Sequence, residues 1–267
     1  MSWFKNIFHK EKVIIASMYL PSLPGSPDYQ KGTTLQEIID YTRSELTALQ
    51  EGGMDGVCIG NQQDWPYQVG VGPETPAIIS AVISQASQGL DIPIGISIFW
   101  DDLAALAIAK ACGAAFVRGV FRGSYTGEMG ALNLNAADAL RYRKTIDAEE
   151  IKLMFMLRPI TAKATAERSL VAEVKDCVWG SKPDAFALCG PIPGEAPSLE
   201  ELGAVSANSK GRPVVMNNGA TPENIAEILA HCDGAVVATH LRKDKKVSNP
   251  FDRNKVRAFM EIVNHAR

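Results

Sequence analysis

The sequence predicts a closed parallel (β/α)8 TIM barrel. Eight short apolar runs recur, each followed by a turn and a longer helix-like segment. The runs lack strict alternation, as suits strands covered by helices on one face and by a barrel core on the other. The length, 267 residues, is that of an ordinary barrel. A doubly wound open sheet fits less well, since it prefers fewer strands and a Gly-x-Gly-x-x-Gly turn after the first. Here Pro21-Ser22-Leu23-Pro24-Gly25-Ser26-Pro27 fills that loop, and no Walker A sequence occurs.

The first run is Val13 to Tyr19. After its Pro/Gly-rich loop, Thr34 and Glu37 have capping-box spacing and open a helix through about Leu49, which Gly52-Gly53 ends. Asp55 to Gly60 is the second strand, followed by a loop to Pro73 and a helix from about Pro76 to Gln88. Ile94 to Phe99 precedes an Ala/Leu-rich helix over Asp102–Cys112, and Ala115 to Val120 makes the fourth strand. A Gly-rich loop then leads to a helix around Asn135–Thr145. The fifth strand, Ile151 to Leu157, precedes a helix over about Ala164–Cys177. The sixth, Asp184 to Cys189, leads through Gly190 and Gly194 to a helix opened by Ser198 and Glu201. Pro213 to Met216 is the seventh, with Thr221-Pro222 starting its helix. Gly234 to Ala238 is the last strand, before a polar loop and a helix over about Arg253–His265.

No linker or repeat divides the chain, so residues 1–267 read as one domain with 1–12 as an N-terminal extension. Hydrophobic residues at 46% can fill a core and exclude a disordered chain. Lys+Arg 27 against Asp+Glu 30 offers no field for nucleic acid. No run is long and apolar enough for membrane insertion, and the protein is expected to be cytoplasmic. The odd cysteines, Cys58, Cys112, Cys177, Cys189 and Cys232, form no CxxC pair and read as small buried hydrophobes. Trp3, Phe4, Ile7 and Phe8 need covering, by the barrel bottom or by another subunit; the second reading makes a homo-oligomer.

A barrel places its chemistry at the C-terminal ends of the strands, which turns a linear list into one neighbourhood. Asp101, beside Trp100, is the candidate acid or base. Either Asp101 or Asp102 is also expected to cap the next helix, leaving the other for the cavity. Arg118 interrupts an apolar strand and cannot shed its charge, so it anchors substrate or sits in an ion pair. Asp64 joins the catalytic candidates, and Tyr19, Asn61, Trp100, Arg158, Asn217 and Asn218 the substrate-binding ones. Gly219 and Ala220, with Thr239 and His240 from the next loop, form a candidate phosphate cradle at a helix start. The isolated histidines and missing His/Cys/carboxylate cluster predict no resident cofactor or transition metal, while Mg²⁺ held by Asp and phosphate stays open. No lysine ends a strand, which disfavours a Schiff-base aldolase, and Gly-x-Ser-x-Gly is absent.

Several stretches together resemble the BtpA family: Leu23-Pro24-Gly25-Ser26-Pro27, Glu51-Gly52-Gly53-Met54-Asp55-Gly56, Asn61, Pro73-Glu74-Thr75, Arg118, Asn218 to Asn224, Lys243-Asp244 and Asn249-Pro250-Phe251-Asp252. The likeness runs from about Val13 to Met260. The Met1-Ser2-Trp3 opening and Phe99-Trp100-Asp101 look most like the SgcQ-like branch. The resemblance implies a TIM barrel akin to the ribulose-phosphate-binding group, with one member associated with photosystem I biogenesis and the branch with carbohydrate-utilisation gene clusters. Against the family pattern, Tyr19 stands for a His, Gly60-Asn61 for Glu-Asn, and Trp100-Asp101 for Asn-Asp. Arg158-Pro159 replaces a Lys-His segment, and Asn218-Gly219 a Ser-Gly. The expectation is an enzyme acting on a small phosphorylated sugar or polyol, by isomerisation or epimerisation through proton transfer. The alternatives are a noncatalytic assembly or regulatory barrel, and an aldolase or hydrolase.

Overall fold

A computed structural model describes residues 2–267. Eight parallel strands close into a barrel: β1 (Val13–Tyr19), β2 (Gly56–Gly60), β3 (Ile94–Ser97), β4 (Phe116–Gly119), β7 (Lys152–Leu157), β9 (Ala185–Leu188), β10 (Val214–Met216) and β11 (Gly234–Val237). Around the ring the order is β1-β11-β10-β9-β7-β4-β3-β2, so β4 and β11 face each other across the mouth. The predicted fold class holds, strand for strand.

Helices α2 (Leu35–Glu51), α3 (Glu74–Ala86), α4 (Asp102–Cys112), α5 (Ala136–Thr145), α6 (Leu170–Asp176), α7 (Leu199–Asn208), α8 (Ile225–His231) and α9 (Arg253–Ala266) pack outside the strands. The capping boxes Thr34/Glu37 and Ser198/Glu201 both form, each satisfying helix-end N–H groups. Among the described residues no helix is long and apolar enough to cross a membrane.

Inside the ring the side chains stack in layers. Val13, Ile15, Cys58, Phe116, Met154, Ala185, Ala187, Val215 and Val236 make one buried cluster. The space left by a glycine sets this packing: a β-carbon at Gly95 would fall 2.2 Å from the Phe116 ring. Two residues further along their strands, the same inward period brings Ser17, Arg118 and Asn217 to the mouth.

The bottom is closed by the chain's own N-terminus. Helix α1 (Trp3–Phe8) buries Trp3, Phe4 and Phe8 against that inner cluster, and the Trp3 indole N–H donates to the Asp184 carbonyl at 2.9 Å. Barrel-bottom packing therefore accounts for the apolar extension, and the motive it offered for a second subunit is gone.

Two segments differ from expectation. The Gly-rich loop after β4 is a hairpin, β5 (Gly123–Gly127) and β6 (Gly130–Leu134), joined by β8 (Ala162–Ala164) into an antiparallel sheet. Tyr125 and Leu132 face inward while Ser124, Thr126, Ala131 and Asn133 face out, the alternation of a half-buried sheet. With Ala162 they pack on Trp100 and Val120, roofing one side of the mouth. Because β8 takes the start of the expected fifth helix, α6 begins only at Leu170 and ends in a π turn, Cys177–Ser181.

Candidate active site at the barrel mouth

A cavity of about 790 Å³ opens at the C-terminal ends of the strands. Arg118 lies at its floor, 5% exposed. Its Nη1 donates to Asn217 Oδ1 at 3.1 Å and its Nη2 to Ser17 Oγ at 3.3 Å. Both partners are neutral, and Nε has no partner at all. Among the described residues no carboxylate pairs with this guanidinium, although the other buried arginine finds one: Arg242 meets Glu45 at 3.2 Å. A fixed positive charge at the bottom of a cavity, held by neutral groups, is an anion site in chemical terms.

The two neighbouring aspartates divide their roles in the reverse of the expected sense. Asp101 caps α4: its Oδ1 accepts from Ala104 N at 2.8 Å and its Oδ2 from Val71 N at 2.9 Å. Both oxygens are spent on backbone, and Asp101 does not line the cavity. Asp102 does. Its Oδ2 accepts from Phe121 N at 2.7 Å, while burial pushes its pKa up to about 7 and the Asp101 charge adds to the rise. The reason is geometric: the first residue of a helix points back over its N-terminus, toward the barrel axis, whereas the cap residue points along the backbone N–H groups.

Asp64 is also displaced from the expected site. It ties the first loop down by accepting from Leu23 N at 2.8 Å, and burial raises its pKa. Asn61 is a second tie, its Oδ1 accepting from Phe99 N at 3.0 Å. Arg158 faces a neighbouring groove, paired with Glu201. Tyr19, Trp100, Asn217, Asn218, Gly219, Ala220, Thr239 and His240 do come together around the cavity with Arg118.

Within the candidate phosphate cradle, helix α8 starts at Ile225, later than the sequence suggested, because Asn224 closes a turn on the loop. Its Oδ1 accepts from Thr221 N at 2.8 Å and its Nδ2 donates to the Gly219 carbonyl at 2.9 Å. The Asn224 side chain is thus spent on the loop and caps no N–H of α8. Among the described residues the N–H groups of Gly219 and Ala220 have no acceptor. Gly219 has φ +87°, and a β-carbon there would meet Ala196 N at 2.3 Å, so loop and neighbour fit only around glycine. Asn218 serves the scaffold, its Oδ1 accepting from Gly190 N and its Nδ2 donating to the Ile192 carbonyl.

Burial and the nearby Lys245 charge hold the His240 pKa below the usual imidazole value. Lys245 itself lines the rim and was missed, because it ends no strand and reaches the mouth from the polar loop after β11. Gln62 was missed too. It is 8% exposed, lines the cavity, and neither amide atom has a protein partner. A glutamine just past a strand end was the available signal. Among the described residues no group of three or more His, Cys, Asp or Glu gathers to hold a metal ion.

Comparison with known proteins agrees with this architecture. A sequence model of the BtpA family matches residues 10–265. The sgc region protein SgcQ of Escherichia coli (strain K12) is 34% identical over 267 residues, covering 100% of both chains. The photosystem I biogenesis protein BtpA of Synechocystis sp. is 29% identical over 259 residues, 96% of this chain and 89% of that one. Among solved structures, the (S)-3-O-geranylgeranylglyceryl phosphate synthase from Thermoplasma acidophilum, in complex with sn-glycerol-1-phosphate, superposes with TM-score 0.63 at 14% identity over 99% of both chains. Phosphoribosyl anthranilate isomerase from Thermus thermophilus gives TM-score 0.54 at 14% identity, covering 96% of this chain and 100% of that one.

Proposed function

The chain belongs to the BtpA family, and we propose that it is an enzyme that isomerises or epimerises a small phosphorylated sugar or polyol by proton transfer. One observation carries the reading: a buried guanidinium with only neutral partners, Arg118, shares a cavity with a carboxyl whose pKa sits near neutrality, Asp102. Such a carboxyl accepts and returns a proton at ordinary pH with little driving-force penalty in either direction. The named substrates and reactions of the structural neighbours, which include phosphorylated compounds, support the substrate class.

The roles follow from position. Ionised Asp102 takes a proton from the carbon beside a carbonyl, the electron pair moves onto the carbonyl oxygen, and Arg118 stabilises the resulting oxyanion. For isomerisation Asp102 returns the proton to the former carbonyl carbon, while the hydroxyl proton of the adjacent carbon passes to the enolate oxygen. For epimerisation protonated His240 delivers a proton to the opposite face of the same carbon, and Asp102 releases its own to solvent. Asp102 leans on the end of β4 and His240 follows β11, so the two groups approach the substrate from opposed sides of the ring. The phosphate rests on the free N–H groups of Gly219 and Ala220, with the Thr239 hydroxyl and Lys245 beside them.

The test is hydrogen exchange. Incubating a panel of aldose and ketose phosphates with the protein in D2O, and following the carbon-bound hydrogens by NMR, should show exchange at one position that Asp102→Asn abolishes. Tight binding without exchange by any member would favour the noncatalytic barrel.

A further inference from the structure

Three deeply buried side chains at the mouth carry polar atoms that no group among the described residues satisfies. Gln62 leaves Oε1 and Nε2 unpaired, Trp100 its Nε1–H, and Arg118 its Nε–H, at 8%, 6% and 5% exposure. All three line the cavity. Arg143 Nε and Arg242 Nε are unpartnered as well, so what sets these three residues apart is that they line one cavity, where a ligand or water can complete them. Gln62 is moreover held in place: its amide packs on Gly60, where a β-carbon would lie 2.6 Å from Oε1.

Next to these atoms stands an aromatic wall. The Trp65 and Tyr67 rings are 4.1 Å apart between centroids, and Tyr67 stacks on Phe99 at 4.4 Å and 21°. The Tyr67 hydroxyl donates to the main-chain carbonyl of Gln62 at 3.0 Å, tying the wall to the backbone that carries this side chain. Trp65 ends the stack at the rim and is 46% exposed, although it is large and apolar. All three rings line the cavity.

We infer that this half of the mouth is a recognition subsite for a sugar in its ring form. A pyranose presents a flat patch of C–H groups that covers an aromatic face, and its hydroxyls project sideways in pairs. A planar amide matches such a pair, donating to one oxygen and accepting from the other. The Trp100 N–H donates to a third. An open-chain polyol has the hydroxyls without the fixed flat face, and inorganic phosphate has neither. The inference rests on the phosphosugar reading above for the anionic end of the ligand, while the ring subsite has its own chemistry. In that reading the bound ring opens to its carbonyl form before Asp102 takes a proton.

The experiment is calorimetric titration of the full chain with the 1-phosphates of glucose, galactose and mannose, which are locked as rings. The comparison probes are glucitol 6-phosphate, adenosine 5′-phosphate, inorganic phosphate and the three methyl glycosides. At least one ring-locked phosphate should bind about tenfold tighter than glucitol 6-phosphate. Trp65→Ala and Gln62→Leu should each weaken that ligand by about five- to tenfold and leave inorganic phosphate unchanged. Trp65→Phe should restore most of the loss, and Tm values check that each variant is folded. Equal or tighter binding of the open-chain phosphate, tighter binding of adenosine 5′-phosphate, or a uniform loss across all probes would overturn the ring subsite. Binding of inorganic phosphate without ring preference removes the subsite alone. Binding of a methyl glycoside without any phosphate keeps the subsite and removes the phosphosugar reading; binding of none removes both.

Discussion

Asp102 and Gly119 touch so closely that a β-carbon on Gly119 would lie 1.9 Å from Asp102 Oδ1. The carboxyl rests on the bare α-carbon at the end of β4, and that contact, with the hydrogen bond from Phe121 N, aims it at the cavity. Gly119→Ala should therefore push the carboxyl aside. The obstacle is the tip of a side chain, not backbone, so the fold should survive with a Tm shift of a few degrees. Displacing a proton-transfer group by about an ångström should lower kcat roughly a hundredfold. Steady-state kinetics together with a melting curve check both parts.

Asp102 should also leave a mark on stability. Its pKa rises from 3.8 to about 7 on folding, chiefly through burial. Between those values the unfolded chain has released the proton and the folded chain still holds it. Stability from this group is therefore full below about pH 4 and is lost as pH rises through about 7. Asp102→Asn should match the parent at pH 4 and exceed it at pH 8 by roughly 1–3 kcal/mol in denaturant titrations. In kinetics, the parent rate should rise through an inflection near pH 7, as the base ionises. The Asn variant should lose that inflection and about 10²–10⁴ in kcat.

Asp101→Ala tests the reversed assignment from the other side. It deletes the α4 cap and the bond from Val71 N, and should cost about 1–2 kcal/mol of stability. The inflection should persist, since Asp102 still carries it, but move to lower pH because the Asp101 charge no longer adds to the rise. Loss of the inflection in this variant would return Asp101 to the proton-transfer role.

Why the sequence favoured Asp101 is instructive. Both aspartates follow the third strand, and local propensity permits either to cap. What separates them is the close approach of β4, a contact between residues 102 and 119 that no local pattern encodes. Barrel strands were legible because each is an apolar run followed by a turn signal and a helical pattern, and Arg118 because a charge inside such a run is conspicuous. The hairpin after β4 was legible in principle, through the alternation at Tyr125 and Leu132, but its glycines at 123, 127 and 130 read as an irregular loop. Lys245 and Gln62 owe their places to loop paths, which spacing along the chain does not constrain.

The N-terminal helix should prove structural. Phe4 is fully buried between Trp3, with centroids 4.6 Å apart, and Phe8 at 5.5 Å. Phe4→Ala should cost about 3–5 kcal/mol, because it opens a cavity within the aromatic cluster at the barrel bottom. Urea titration measures it; a loss below about 1 kcal/mol would mean the plug is dispensable.

Arg118 offers the sharpest separation between a structural and a functional charge. A guanidinium that serves the fold has a carboxylate to satisfy it, and removing it destabilises the protein. Arg118 has Asn217 and Ser17 instead, and an unpaired Nε. Its burial is then a standing cost that only a bound anion offsets. Arg118→Met keeps the length and apolar stem of the side chain while deleting the charge, so without ligand the variant should melt at the parent temperature or a few degrees above it. Adding a sugar phosphate should raise the parent Tm in proportion to the logarithm of ligand concentration above Kd, and the variant should lose part of that rise. The response to inorganic phosphate, seated on Gly219 and Ala220, should persist. A structural arginine gives the opposite pattern: a large drop in Tm without ligand and an undiminished response to it. Thermal melts of the two proteins across a concentration series of each anion decide between them.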